Sequence, residues 1–308
     1  MRRLRRVLLR ILLSLVALVL LLALASAVYV AAVPFRTYPP QALWHGPFAR
    51  IDGRLVAYRH WGTSGSPILL LPGFAESSAV FSAVGPLLGR SHRVYALDLP
   101  PYGYSERKGP YDLTAWTDEV AGFAHRFRLV RPTVVGHSLG AAVALSVAQR
   151  LPGRGVVLAD GDGLSAGGAG FLRHLLIEPF RTALFHLALS WDWPVRRILQ
   201  GAYGPLHPHL TSADLDVWRR PFHVAGTEAA LFDAAGSGIP GYSLAELRQM
   251  HVRALALWGS KDDVDSLSAG REAAAALHAR LVELPGAGHL AQLVLPRQWA
   301  AAVAGFAG

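Results

Sequence analysis

Apolar positions along this chain fall into three patterns. From Ile11 to Val33 the sequence runs 23 residues without a charge, broken only by Ser14, Ser26 and Tyr29. At about 1.5 Å per residue, such a helix is long enough to cross a bilayer core. Further on, short apolar runs of strand length recur at Ile68–Leu71, Arg93–Asp98, Pro132–His137, Gly155–Ala159, Leu255–Trp258 and Leu281–Leu284. Stretches with helical periodicity separate them, at Ser77–Arg90, Leu113–Leu129, Ala141–Arg150, Ser266–His278 and Leu290–Phe306. Strands apolar on both faces and alternating with helices predict a mostly parallel sheet covered on both sides. Before them, Phe48–Ile51 and Arg54–Trp61 flank Asp52-Gly53, a hairpin signal that predicts an antiparallel edge.

The third pattern interrupts the second. From about Asp160 to Arg253 no strong strand occurs, helical pieces predominate and aromatics are frequent. A segment of that length is too long for a loop in a compact domain. It predicts a helical cap inserted over the carboxyl ends of the strands, where open α/β sheets place their sites. The expected organisation is a membrane segment at 1–33, a linker at 34–47, an α/β core at 48–160 and 254–308, and a cap at 161–253. Gly161 to Gly170 is glycine-rich and predicts a hinge into the cap. Phe171, Phe180, Phe185, Trp191, Trp193, Tyr203, Trp218, Phe222 and Phe232 are expected to pack the cap, with some lining an apolar pocket roof.

Charge sharpens the reading of the N-terminus. Arg2, Arg3, Arg5, Arg6 and Arg10 precede the apolar run and favour an N-terminus-in anchor, with the rest of the chain on the outer face. The rival is a cleaved signal peptide, since Ala25-Ser26-Ala27 has the form of a cleavage site; the protein would then be secreted. The run continues to Val33, which favours the anchor. Arg5-Arg6 only loosely resembles a twin-arginine export signal. Five of the nine net positive charges lie in the first ten residues, and no Lys/Arg run remains elsewhere, so nucleic-acid binding is not indicated. The chain has no cysteine, which excludes disulfides, a cysteine nucleophile and thiolate metal sites. No metal-ligand spacing or phosphate-binding glycine loop occurs, so no cofactor is expected.

Gly136-His137-Ser138-Leu139-Gly140 follows a β-branched run and precedes an Ala-rich helix. Glycines two residues either side of a serine permit a strained strand-to-helix turn that exposes the serine hydroxyl. The same turn aims the Leu139 N–H at a developing negative charge. With 31 glycines in the chain, this pattern alone is weak.

Other pieces strengthen it: Leu71-Pro72-Gly73-Phe74, Asp98-Leu99-Pro100-Pro101-Tyr102-Gly103-Tyr104-Ser105, Trp258-Gly259-Ser260-Lys261-Asp262 and Gly286-Ala287-Gly288-His289. With these motifs in this order, the chain from about Phe48 to Phe306 resembles the α/β-hydrolase fold family. The resemblance implies Ser138 as nucleophile, His289 as its base and Asp262 as the carboxylate that orients the base. It implies an oxyanion hole from the backbone N–H groups of Phe74 and Leu139. Asp263 and Asp265 compete with Asp262 by position, and Asp160 and Asp162 offer an alternative placement. His137 adjoins the serine too closely to act as base, and is expected to be structural or substrate-facing. Pro72 and Pro101 depart from the family's usual His and Gly, and Asp98 is expected to be a structural turn residue. A serine in place of the aspartate of epoxide hydrolases and haloalkane dehalogenases suits acyl transfer. The expected activity is hydrolysis of small-molecule esters with apolar groups. Perhydrolase or haloperoxidase-type chemistry, carbon–carbon bond hydrolysis and non-catalytic binding are the alternatives.

Overall fold

The computed structural model describes residues 2–166, 177–236 and 238–308. Its centre is an eight-stranded sheet in the order β1-β2-β4-β3-β5-β6-β7-β8. The strands are β1 (Phe48–Ile51), β2 (Arg54–Trp61), β3 (Pro67–Leu71), β4 (Arg93–Leu97), β5 (Thr133–His137), β6 (Gly155–Ala159), β7 (Ala254–Gly259) and β8 (Arg280–Leu284). β3 to β8 pair in parallel, and β2 runs antiparallel to both β1 and β4. The expected sheet and its leading hairpin are both present.

The period of two along each strand divides the core into two layers. Leu69, Leu71, Val134, Val156 and Leu158 point into one cluster, under Trp116, Val120, Phe123, Val143 and Val147. Ile68, Leu70, Val135, Val157 and Leu257 point into the other, under Phe81, Leu88, Trp299 and Val303. Cutting a fully buried strand leucine such as Leu70 back to alanine would cost about 2–5 kcal/mol.

Two expected helices are broken. Ser77–Arg90 holds only a 3₁₀ turn at Ser78–Phe81 and one helical turn at Gly85–Leu88, because Gly85-Pro86 interrupts the ladder. The last helix divides into Ala291–Val294 and Pro296–Ala307, with Pro296 in the first turn of the second piece.

Between β6 and β7 lie the helices Phe180–Ser190, Asp192–Tyr203, Ser212–Arg219, Thr227–Gly236 and Leu244–Gln249. Single bridges Leu164–Tyr242 and Ala166–Ile239 tie the start of this segment to its end. Of the expected glycine-rich hinge, 167–170 lies outside the described residues, as does Phe171.

Arg2–Ala32 forms one helix. Its stretch Arg3–Ala32 is long and apolar enough to cross a membrane, which makes it a candidate transmembrane helix. The segment after it is more ordered than a linker. Tyr38 pairs with Val224 of the cap, its N–H donating to the His223 carbonyl at 2.8 Å and its own carbonyl accepting from Ala225 N–H at 2.8 Å. Phe35 stacks on His223 at 4.3 Å and on His186 at 4.9 Å. Pro40–Leu43 adds a helical turn, started by the proline at its first position.

Candidate active site

β5 ends in a sharp turn. Ser138 sits at φ +52°, the left-handed region that a side chain rarely occupies, and helix Gly140–Arg150 begins immediately after it. Close packing explains the neighbouring glycines. A Cβ at Gly136 would collide with the Gly140 carbonyl, and one at Gly161 would strike the Ser138 backbone. The Ser138 N–H donates to the Ala159 carbonyl at 3.0 Å, locking the turn to the end of β6.

Asp262 and His289 meet across the ends of β7 and β8. His289 Nδ1–H donates to Asp262 Oδ2 at 2.8 Å, and both residues are buried. Asp262 Oδ1 accepts from the N–H groups of Val264, at 2.8 Å, and Asp265, at 3.0 Å, so the carboxylate is held from both sides. With Nδ1 committed as donor, Nε2 carries the imidazole lone pair. The histidine loop is also gripped from the cap: Gly288 N–H donates to Tyr203 O and Leu290 N–H to Ala202 O.

The other acids have different partners. Asp160 is fully buried; its Oδ1 accepts from Gly259 N–H at 2.6 Å, and burial pushes its carboxyl well above the usual range despite the nearby His137 charge. Asp162 accepts from Leu164 N–H and Asp263 is exposed. Asp265 accepts from Asp162 N–H at 3.1 Å; burial, with the charges of Asp162 and Asp262 adding to it, raises it to about 7. Asp98 takes the N–H groups of Ser78, at 2.6 Å, and Tyr104, at 2.7 Å, the structural role expected of it.

His137 lies under the turn. Its Nδ1–H donates to Glu76 Oε2 at 2.8 Å and its Nε2–H to the His289 carbonyl at 2.8 Å. Both partners are acceptors, so the ring is an imidazolium. Burial works against that charge, but the Glu76 carboxylate outweighs it and lifts His137 to about 9. Burial likewise pushes Glu76 up, and His137 more than compensates, holding the carboxyl below its usual range. Glu76 was not among the sequence expectations, although it stands three residues after Gly73, in the loop leaving β3.

A cavity of about 360 Å³ opens over Ser138. Phe74, Leu139, Ala142, Leu164, Ile239 and Val264 line it, with Asp162 and Asp265 at its polar edge. Among the described residues none of the expected cap aromatics lines it. Tyr203 is instead buried in a cluster with Leu199, Leu210 and Leu215, while Trp191 and Trp193 are exposed. The aliphatic roof comes from the two strand-like pieces that bridge the start and end of the cap segment. The N–H groups of Phe74 and Leu139 have no acceptor among the described residues.

Residues 66–296 match the α/β-hydrolase-fold family. The chain belongs to the α/β-hydrolases. An uncharacterized hydrolase of Bacillus subtilis, YugF, is 26% identical over 252 residues, covering 78% of this chain and 89% of that protein. The 2-hydroxymuconate semialdehyde hydrolase of a Pseudomonas species is 31% identical over 100 residues, only 31% of this chain and 35% of that enzyme. Among solved structures, a bacterial membrane phospholipase A aligns with TM-score 0.68 and 23% identity, over 98% of this hydrolase and 97% of that chain. The enol-lactonase of Burkholderia xenovorans aligns with TM-score 0.69 and 22% identity, over 84% and 99%. At those identities the likeness is one of fold.

Proposed function

We propose that this hydrolase cleaves carboxylic esters of apolar substrates through an acyl-enzyme on Ser138, while its N-terminal helix anchors it to a membrane with the catalytic domain on the outer face. The observation that carries the catalytic reading is the 2.8 Å bond from His289 Nδ1–H to Asp262 Oδ2, in a loop tied through His137 to the turn that strains Ser138 into the left-handed region. His289 Nε2 takes the Ser138 proton as Oγ attacks the ester carbonyl. The N–H groups of Phe74 and Leu139 receive the oxyanion. His289 then gives its proton to the departing alcohol, and water repeats the sequence in reverse to free the acid. Asp262 holds the imidazole through Nδ1–H and stabilises the imidazolium that forms. The aliphatic cavity wall suits an apolar acyl or alkyl group.

Carbon–carbon bond hydrolysis on the same residues is the second reading. What speaks for it is the partial identity to the semialdehyde hydrolase. The full chain in detergent, treated with a fluorophosphonate, tests the mechanism. Labelling of the wild type but not of Ser138→Ala or His289→Ala supports it, and an unlabelled, folded wild type sinks it. Among substrates, turnover of an ester series without turnover of a ring-cleavage semialdehyde favours the ester reading.

A further inference from the structure

The cap carries an apolar outer face that its own core does not use. Of thirteen exposed large apolar side chains beyond Val33 among the described residues, six fall within 177–198: Ile177, Leu184, Leu187, Trp191, Trp193 and Ile198. The segment bearing them is held against the N-terminal helix. Helix Phe180–Ser190 packs directly on it. The half-buried positions of the N-terminal helix are Ala23, Ser26, Tyr29 and Val30, all in its last third and spaced three or four apart, while its first two-thirds are exposed. Phe35, just past its end, meets Phe185 at 5.4 Å and His186 at 4.9 Å.

Length then decides what surrounds that face. Thirty helical residues extend about 45 Å, whereas a hydrocarbon core is about 30 Å thick and needs roughly twenty. The arginines up to Arg10 belong at the inner headgroups, so the crossing starts near Ile11, and about twenty residues from there end near Val30. The half-buried positions Ala23 to Val30 therefore lie in the outer leaflet and at its headgroup boundary, and the cap helix is docked on those last turns. Its exposed leucines and tryptophans therefore lie at the depth where apolar and indole side chains are favoured. Arg197 is exposed between Trp193 and Ile198 and has no ion-pair partner among the described residues, which suits an anionic headgroup.

We propose that the cap docks on the lipid surface through Leu184, Leu187, Trp191, Trp193 and Ile198, so that the hydrolase lies on the membrane by its cap instead of swinging freely on a tether. The inference rests on the N-terminal helix being a membrane anchor. A free tether would leave these apolar side chains in water, where lipid would otherwise cover them.

The absence of cysteine makes the test direct. Single cysteines at Leu20→Cys, Leu187→Cys, Trp193→Cys and Val130→Cys, in the full chain reconstituted into vesicles of neutral and anionic phospholipid, each take a nitroxide label. Fluorophosphonate labelling verifies that each variant is folded. Collisional broadening by oxygen reports lipid, and broadening by a water-soluble nickel complex reports water. The expected result is loss of nickel broadening at positions 187 and 193, as at the mid-anchor position 20, with full nickel broadening at the exposed core position 130. Nickel broadening at 187 and 193 as strong as at 130, with position 20 in lipid, overturns the docking proposal and leaves the anchor standing. Water access at position 20 overturns the anchor and the proposal together. Shielding of 187 and 193 from both reagents, with spin–spin broadening, would assign the face to a second copy of the chain and also overturn it.

Discussion

Glu76 and His137 form a buried ion pair, 2.8 Å apart, that joins three loops of the site. Glu76 Oε2 also accepts the Gly73 N–H at 2.7 Å, and His137 also donates to the carbonyl of His289. The loop after β3, the serine turn and the histidine loop are thus linked through one carboxylate and one imidazolium. The pair adjoins the Asp262–His289 couple, through the His137 bond to the His289 carbonyl and through the His137 and His289 rings, whose centroids lie 4.8 Å apart.

Removing one charge of this pair leaves the other buried and alone. Glu76→Gln is expected to lower stability by about 3–5 kcal/mol near pH 6. His137 titrates near 9 in the folded protein against an ordinary 6.5, so its contribution is complete below about 6.5 and disappears as pH rises through 9. Glu76 is held below its ordinary 4.5, so its contribution is present above that value and is lost on acidification. Thermal unfolding of wild type and Glu76→Gln should differ most near pH 5–6.5 and converge by pH 10. A gap independent of pH would refute the ion pair.

Asp262 and Asp160 make a contrasting pair of substitutions. Asp262→Asn places an amide where His289 Nδ1–H needs an acceptor, favouring the wrong tautomer; a fall in kcat of about 10⁴ is expected, with little change in KM. Burial already pushes the Asp160 carboxyl well above its usual range, and Asp160→Asn keeps the shape and the Gly259 N–H acceptor without a charge. Turnover within about tenfold of wild type is expected there. Steady-state kinetics with one ester substrate distinguishes the two. A collapse in Asp160→Asn would reassign the orienting carboxylate.

Glu119 is buried with neither side-chain oxygen partnered among the described residues. Burial raises its carboxyl to about 8, with the Arg54 charge opposing that and Asp52 reinforcing it. The folded state therefore holds a proton that the unfolded state releases above its ordinary 4.5, and stability falls as pH rises from there to about 8. Glu119→Gln should remove this loss and raise the unfolding temperature at pH 8 relative to wild type, by an amount that vanishes at pH 4.5. Equal unfolding temperatures at pH 8 would contradict it.

Arg107 fastens the cap to the loop after β4. Its guanidinium donates to Thr227 Oγ1 at 2.8 Å and to the carbonyls of Tyr102, Ser105, Gly103 and Pro221. Burial lowers its pKa to about 10, so the charge persists at neutral pH. Arg107→Lys keeps that charge but not the planar fork, and should cost about 2–4 kcal/mol. Hydrogen exchange is expected to quicken at 221–227 and 102–105 while β5 and β6 stay protected. Uniform exchange across the chain would point to global destabilisation.

Ser138 and His289 could be singled out as candidates because their signals are local: a glycine spacing, a preceding strand and a loop before the last helix. Asp262 could be singled out only up to a choice among neighbours; in the structure it is the carboxylate that accepts from His289 Nδ1–H. Glu76 and Arg107 were not legible. Their partners lie 61 residues away for His137 and 114 and 120 residues away for Pro221 and Thr227, and nothing in the flanking sequence marks them. The sheet could be read strand by strand, since each run is buried on both faces. The Ser77–Arg90 helix misled because its apolar spacing suited a helix, while Gly85-Pro86 broke it. The cavity wall misled for another reason: aromatic content says nothing about which side of a helix faces the serine.

The pairing of Tyr38 with Val224 separates covalent order from mechanical order. Along the chain, the N-terminal helix leads to β1 and the sheet. By contact it leads first to the cap, through Phe35 and Tyr38, and the cap in turn holds the histidine loop at Ala202 and Tyr203. A sideways load on the helix is therefore borne by the cap before it reaches any strand, and the loop carrying His289 is the part of the candidate site that the cap grips directly.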